Sequence, residues 1–517
     1  MNSKKSVLLI HPPVVKPGEP PAGIARLYAA LRFGGIPCRL YDASIEGILE
    51  ISGAHPEASD NWSRRAVVNA DVNLKALRSP GLYAVRDRYK KAVMDVNRLL
   101  TLAGDRAGVR ISLSNYGEKN RTPTRSGDLV SAAERFEDNP FYPFFRKRLE
   151  HLFEAQTPDI VGLSVNFMSQ ALCAFAMAGF IRKRLPEVRI VLGGGLITSW
   201  KRVHGSENPF QGLVDDLVEG PGETALLSMA TGITGPKSVD TLSNYSTLPL
   251  EAYLSPGRVL PYSTSNGCYW RRCAFCPENA EGGGYFPHDA REVLLDLRQQ
   301  VRETSPSLIH FLDNALSPRF MKAIAENPPG VPWYGFARIT EHLADPHFVS
   351  DLKASGCVML KLGVESGDQA VLDALGKGVS LDTISLALTS LKKASIGAYV
   401  YLLFGTPAED EYAARRTLAF SAAHSGLIDF LNLAVFNLPA GSREAQTLNT
   451  VDFYEGDLSL YKQFDHPKGW NRDRVRRFLS KEFRRHEAIR PILANDPPFF
   501  TSNHAPFLVL HCRQIRR

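Results

Sequence analysis

Two series of short apolar runs, each alternating with helical patterns, limit what this chain can fold into. The first comprises SVLLI (6–10), PCRLYD (37–42), IVGLSV (160–165), VRIVLGGG (188–195) and VDDLVEG (214–220), with helical stretches at 23–33, 171–184 and 223–229. The second comprises LIHFLD (308–313), VPWYGFARI (331–339), VMLKLGV (358–364), AYVYLLFG (398–405) and FLNLAVF (430–436). Continuous apolar runs of this length are buried on both faces, and strands that alternate with helices pair in parallel. The fold class is therefore α/β, with two parallel units, and such sheets bind ligands at the C-terminal ends of their strands.

The first series is interrupted over about residues 49–158, too long for a loop in a compact domain. Helical patterns at 81–102 and 144–155 flank a polar stretch near 104–128, which predicts a mainly helical insertion. A Gly-, Ser-, Thr- and Pro-rich segment at 233–258 reads as a linker. The expected organisation is a first domain at 1–232, the linker, a second domain at 259–440 and an α-rich C-terminal extension at 441–517. That extension carries one basic helix near 472–486.

The composition, 44% hydrophobic and 22% charged over 517 residues, is that of a globular protein. No apolar run is long enough to span a bilayer, and the run in MNSKKSVLLIHPP is too short for a signal peptide. A cytoplasmic location is expected. Seven cysteines, an odd number, argue against a disulfide framework in such a compartment. The net charge of +7 is mild, and the basic segment 474–485 reads as a solvated helix face, so nucleic acid is not an expected partner.

Three of the cysteines, Cys268, Cys273 and Cys276, fall in GCYWRRCAFCPE (267–278). Four thiolates would close a tetrahedral zinc site or saturate a cluster, whereas three leave one metal position open. A zinc site completed by His288 is an alternative, but the paired C-x-x-C spacing of zinc modules is missing. Cys38, Cys173, Cys357 and Cys512 are distant in sequence and read as buried apolar residues.

GCYWRRCAFCPE resembles the cluster loop of the radical S-adenosylmethionine (SAM) superfamily. The family spacing is Cys-x3-Cys-x2-Cys, with an aromatic before the last cysteine. Here Phe275 holds the aromatic position, and four residues, Tyr269 to Arg272, separate the first two cysteines. FLDNALSP (311–318), LGVESGDQAVLDALGKG (362–378) and YLLFGTPAED (401–410) resemble later strand ends of the same family, in the same order. The resemblance covers about 259–440. It implies a partial (β/α) barrel in which Cys268, Cys273 and Cys276 hold a [4Fe–4S] cluster. It also implies that Phe275, Asn314, Arg338, Glu365, Ser366, Gly405 and Thr406 lie near SAM, with Arg338 meeting its carboxylate or the substrate.

The first domain has no G-x-G-x-x-G dinucleotide loop. It resembles the flavodoxin-like (Rossmann-like) cobalamin-binding domain found ahead of many radical SAM domains. DASIEG (42–47) matches the Asp-x-His-x-x-Gly signature with Ser44 at the histidine position, as in the branch without a histidine below cobalt. The resemblance implies cobalamin contacts at Asp42, Ser44, Gly47, Ser164, Asn166, Gly193, Gly194, Gly195, Glu219 and Gly220. A corrinoid-free flavodoxin-like domain is the alternative. His11, which follows the first strand, is not assigned to cobalt.

Together the resemblances imply an enzyme that cleaves SAM to a 5′-deoxyadenosyl radical and, with cobalamin, methylates an unactivated carbon. The alternatives are ring formation, contraction or another rearrangement without methyl transfer, and a non-catalytic electron-transfer or corrinoid-carrier protein. The expected partners are a small-molecule or peptide substrate and an external one-electron reductant of the flavodoxin or ferredoxin type. The insertion and the segment FFTSNHAPF (499–507) are candidates for substrate contact, and His504 reads as structural.

Overall fold

The computed structural model describes residues 5–54, 57–205, 207–233, 243–498 and 504–514. Its contacts divide the chain into two compact units. One runs to Val259 and includes Glu455–Ser459; the other runs from Leu260 to Tyr454 and resumes at Leu460. Among the described residues no helix is long and apolar enough to cross a membrane.

In the first unit the strands are β1 (Val7–His11), β2 (Cys38–Asp42), β3 (Val109–Ile111), β4 (Tyr116–Glu118), β5 (Ile160–Ser164), β6 (Arg189–Gly193) and β7 (Asp216–Leu217). Five of them form a sheet in the order β2-β1-β5-β6-β7. Every pair in it is parallel, with Val7 opposite Cys38 on one side and Ile160 on the other. This is the flavodoxin-like order, which reverses between β1 and β5. Leu8, Ile10, Ile160, Val161 and Leu192 have no exposed surface, as expected of strands covered on both faces. Helix Met168–Arg184 is apolar around most of its circumference and is buried from Gln170 to Ala178. Gly179 lets it close on helix Ser126–Glu134, since a Cβ there would stand 2.6 Å from the Ala133 carbonyl carbon.

The insertion is not wholly helical. Helices Asn61–Val68, Ala70–Ala76 and Arg86–Arg106 pack around Asp95, which accepts from Trp62 Nε1 at 3.0 Å and Arg65 Nη2 at 2.8 Å. Inside the polar stretch 104–128, however, β3 and β4 form an antiparallel hairpin. Strands of three residues are too short for an alternation to be legible in sequence.

The segment 233–258 also differs from a free linker. Residues 234–242 lie outside the described residues, but 243–258 are strapped onto the first unit. Leu254 N donates to Pro17 O at 2.7 Å, and the Tyr253 hydroxyl donates to Asp42 Oδ2 at 2.7 Å. Tyr245, Leu248, Tyr253 and Leu254 are buried.

In the second unit the strands are β8 (Val259–Tyr262), β9 (Ser265–Asn266), β10 (Phe286–Pro287), β11 (Leu308–Leu316), β12 (Trp333–Ala337), β13 (Cys357–Glu365), β14 (Gly397–Phe404) and β15 (Phe430–Val435). A six-stranded sheet runs β15-β14-β13-β12-β11-β8, and β11 to β15 pair in parallel with their neighbours. Helices Ala290–Thr304, Pro318–Glu326, Pro346–Ala354, Leu381–Lys393 and Glu411–Ala423 fall before, between and after these strands, so the unit is a partial (β/α) barrel. All five of these helices carry Asp or Ser caps whose side chains accept from first-turn N–H groups, for example Ser317 from Phe320 N at 3.2 Å.

The C-terminal extension is less helical than its sequence suggests. β16 (Leu438–Pro439), β17 (Thr450–Asp452) and β18 (Tyr461–Phe464) form a small antiparallel sheet ahead of the basic helix Arg472–Lys481. Of FFTSNHAPF, 499–503 lie outside the described residues. His504 is buried, with its ring 4.2 Å from Tyr399 and 4.7 Å from Phe430.

Asp42 is 3% exposed, and Tyr253 supplies one of its three donors. Tyr253→Phe leaves a buried carboxylate oxygen without its partner. The expected loss is about 1–3 kcal/mol, read from the urea midpoint with an unchanged m-value.

Candidate functional site

In the second unit the three cysteines follow β9, and the loop that carries them is fixed at both ends. Upstream, Asp313 on β11 is 2% exposed and collects Thr264 Oγ1 at 2.7 Å, Thr264 N at 3.0 Å and Ser265 Oγ at 2.7 Å. A buried carboxylate with this many donors fixes the strand immediately before Cys268. Downstream, Cys276 precedes a single turn, Pro277–Ala280, and Glu278 accepts a hydrogen bond from Asn314 Nδ2. Between them Ala274 N donates to Leu375 O at 3.0 Å.

Cys268, Cys273 and Cys276 are half-buried and none is in a disulfide. Burial pushes the Cys273 thiol up to about 11, opposed by the nearby Lys377 ammonium. Burial also raises Cys276, opposed by the backbone N–H groups of Asn279 and Glu278. Among the described residues no three His, Cys, Asp or Glu side chains converge on a single-ion site. Three thiols on one loop, with amide donors and a cation beside them, suit a multi-iron cluster, which distributes its thiolates over several metals.

The other strand ends gather around the same loop. Phe275 packs on Val371, Leu375 and Ala413, and Lys377 Nζ lies 5.6 Å from its ring centre. Glu365 ends β13 in the left-handed region, at φ +66°, where a non-glycine residue stores strain. Its carboxylate pairs with Lys377 Nζ at 2.9 Å. Ser366 is fully buried, with its hydroxyl 3.1 Å from Thr417 Oγ1. Thr417 also accepts from Gly367 N at 2.9 Å.

Arg338 follows β12 and is 8% exposed. Its Nη2 donates to Gly378 O at 3.0 Å and to Lys377 O, and its guanidinium carbon lies 3.5 Å from the Trp270 ring centre. One face of the expected bidentate fork is thus already engaged. Nε is buried without a partner.

After β14, Gly405 N donates to Glu409 Oε2 at 2.5 Å, and Trp470 Nε1 donates to the same oxygen at 2.9 Å. Glu409 Oε1 and Thr406 Oγ1 are buried without partners. Burial lifts the Glu409 carboxyl from its ordinary 4.5 to about 7, opposed by the two hydrogen bonds. The sequence reading missed Asp313, Trp270, Lys377, Glu409 and Thr417. Each works through a partner at least twelve residues away or through a local turn, and no spacing rule announces such a contact.

In the first unit the candidate residues divide into two groups. At the end of β5 and β6, Asn166 Nδ2 donates to Ser164 Oγ at 3.2 Å, and Gly195 N donates to Asn166 Oδ1 at 3.0 Å. Gly220 N reaches the same corner through Thr198 Oγ1 at 2.9 Å, and that hydroxyl donates to Gly194 O. A Cβ on Gly193 would meet nothing nearer than 3.8 Å, and one on Gly195 nothing nearer than 3.7 Å. The edge is therefore open beside β5, next to the reversal of strand order. His11 ends β1 there, 6% exposed, with Nδ1 unpartnered and its basicity lowered by burial, which Asp42 opposes.

The second group serves the unit's own packing. Asp42 Oδ1 caps helix Ala43–Gly53 through Ser44 N and Ile45 N. Ser44 Oγ accepts from Val15 N at 3.0 Å. A Cβ on Gly47 would stand 2.7 Å from the Phe141 ring. Glu219 is exposed and paired with Arg202 at 2.9 Å.

The chain thus combines a flavodoxin-order unit with a partial barrel that carries three cysteines after its first strands. No family model matches the chain. Among solved structures it is similar to a radical SAM methyltransferase, TsrM, of Kitasatospora setae with tryptophan substrate and a SAM analogue bound. The two share 15% identity at a TM-score of 0.55, over 96% of this chain and 90% of that one. It is also similar to a cobalamin-dependent SAM radical enzyme, OxsB, with aqua-cobalamin bound, at 13% identity and a TM-score of 0.55, over 90% of this chain and 65% of that one. A curated protein of Pyrococcus horikoshii described as an uncharacterized methyltransferase is 23% identical over 299 residues, 51% of this chain. The match spans 64% of that relative's length.

Glu409 generates a pH dependence. A carboxyl raised in the folded state contributes stability below its unfolded value of 4.5, and that contribution is lost as pH rises through 7. Glu409→Gln removes the loss. The variant is expected to gain about 1–3 kcal/mol on the wild type between pH 5 and pH 8, measured by urea unfolding at each pH.

Proposed function

We propose that the protein is a cobalamin-dependent radical SAM enzyme, a methyltransferase acting on an unactivated carbon of a small-molecule or peptide substrate, in the cytoplasm. The observation that carries this reading is the pinned loop of three half-buried thiols beside the ends of β11, β12, β13 and β14, in a chain that also has a flavodoxin-order unit. The likeness to TsrM and OxsB supports the same reading along the length of the chain.

When bound, a [4Fe–4S] cluster and cobalamin supply the electron that opens the sulfonium bond of SAM and a carrier for its methyl group. The residues then have definable tasks. Cys268, Cys273 and Cys276 would hold the cluster, three thiolates being one fewer than would saturate it. Phe275 and the Gly405–Thr406 turn offer apolar surface and backbone to the adenosyl group, and Thr406 Oγ1 has an unused hydrogen-bonding position for it. Glu365, Ser366 and Asn314 supply polar groups around the remaining atoms, and the buried Nε of Arg338 is available to a carboxylate. Ser164, Asn166 and the edge at Gly193 and Gly195 would receive the corrinoid, where missing side chains leave room for a flat macrocycle, while Gly194 lets the backbone close on Val165 O. The electron would come from an external one-electron donor of the flavodoxin or ferredoxin type.

Joint replacement of Cys268, Cys273 and Cys276 by Ala is expected to abolish iron–sulfur absorbance and 5′-deoxyadenosine formation while leaving cobalamin binding intact. Deoxyadenosine formed by that variant would defeat the cluster assignment. Gly193→Leu fills the open edge at a backbone position that accepts a side chain. It is expected to weaken hydroxocobalamin binding by more than about tenfold without changing iron content, measured by equilibrium dialysis.

A further inference from the structure

The cysteine loop has one residue more than the family spacing between its first two cysteines, and the structure shows how that length is held. Arg271 lies in the left-handed region at φ +49°, so the chain bulges outward there. Arg271 and Arg272 are exposed, whereas Trp270 turns inward. The indole Nε1 donates to Gly376 O at 2.9 Å. Two guanidiniums lie over the ring, Arg338 at 3.5 Å and Arg272 at 5.0 Å from its centre.

The surface that receives the indole is the turn Leu375–Gly378, and it is shaped for this loop. Gly378, at φ +60°, would place a Cβ 2.5 Å from Trp270 Cζ2, and Gly376, at φ +65°, would place one 2.6 Å from Arg272 O. Both positions therefore exclude a side chain twice over, by conformation and by contact. The turn is also tied to the neighbouring strand ends. Arg338 Nη2 donates to the carbonyls of Lys377 and Gly378, Lys377 Nζ pairs with Glu365, and Leu375 O accepts from Ala274 N.

We infer that Trp270 is a positioning residue: clamped between the Leu375–Gly378 turn and the guanidinium of Arg338, it holds the lengthened loop so that Cys268 and Cys273 present their thiols together. Trp270 touches neither cluster nor substrate in this role; it acts through the loop. The inference rests on the reading of Cys268, Cys273 and Cys276 as cluster ligands. It gives Arg338 a structural duty besides any contact with SAM.

The test separates the clamp from the cofactor. Trp270→Ala, Trp270→Phe and Gly378→Ala are compared with the wild type, with thermal unfolding as the fold control. Without added iron, trypsin cutting after Arg271 and Arg272 reports loop opening. Losing a buried hydrogen bond and a stacked cation should speed that cutting about tenfold in Trp270→Ala, and less in Trp270→Phe, which keeps a ring under Arg338. Gly378→Ala should open the loop with Trp270 intact. After anaerobic reconstitution, Trp270→Ala should show an altered EPR spectrum of the reduced cluster and faster bleaching in air. Cutting at the wild-type rate in Trp270→Ala would overturn the clamp. Faster cutting with wild-type EPR and bleaching would overturn the positioning role. A wild-type protein that takes up no cluster, with the cutting difference intact, would overturn the cluster reading and leave the clamp standing.

Discussion

Strands that run parallel all finish along one edge of their sheet, and this constraint organises each unit. In the first unit both faces of that sheet are covered by helices, so its strands are apolar, whereas in the partial barrel buried polar groups such as Asp313 and Lys361 lie on the strands themselves. The residues placed to meet a ligand therefore gather at the C-terminal ends of the strands. In the second unit those residues are Asn314 near the end of β11, Arg338 after β12, Glu365 ending β13, and Gly405 and Thr406 after β14. In the first unit they are His11, Ser164, Asn166 and the glycines that follow β6. The register of β13 against β14 slips between Gly363 and Glu365, where the backbone turns left-handed. The ladder thus bulges just before its last pair, Glu365 opposite Leu402, which carries the strand's carboxylate.

Release from the ladder has a consequence for the turns that follow. Backbone amides that leave a sheet lose their partners, and a buried one must find another. Thr417, from the helix after β14, accepts from Gly367 N; Glu409 accepts from Gly405 N; Asp313 accepts from Thr264 N. In each case a buried side chain replaces the missing strand, and each turn acquires a single shape. The same logic explains the cost at Glu409, whose burial favours the neutral form while its hydrogen bonds favour the charged one.

How legible this was from sequence follows from the range of each interaction. Apolar runs of five to nine residues marked β1, β5, β6 and β11 to β15, since burial on both faces leaves a continuous apolar signature. The cysteine loop was legible because its three groups act within nine residues of chain. The hairpin of β3 and β4 and the small sheet of β16 to β18 were not, since strands of two to four residues show no period. The strap at 243–258 was read from its Ser, Thr and Pro, while its informative residues were Tyr245, Leu248, Tyr253 and Leu254, apolar groups without periodicity. Asp42 was read as the start of a cobalamin signature. Its position directly before a helix is equally that of an N-cap, and the structure uses it so.

Arg338 shows why a motif locates a site more reliably than it assigns the duties within it. From sequence it is a cation at a strand end, free to clamp a carboxylate. In the fold its Nη2 is held by two carbonyls and its plane rests on an indole from a loop 68 positions earlier, Trp270. Neither partner is visible in the local sequence, since one depends on two left-handed glycines and the other on the extra length between Cys268 and Cys273. A guanidinium has five donors, so engagement with the turn does not exhaust it, and the buried Nε remains. The loop that carries the thiols and the cation available to a bound carboxylate are therefore mechanically one assembly: a change in the length of the loop moves Trp270, and Trp270 cannot move without disturbing Arg338.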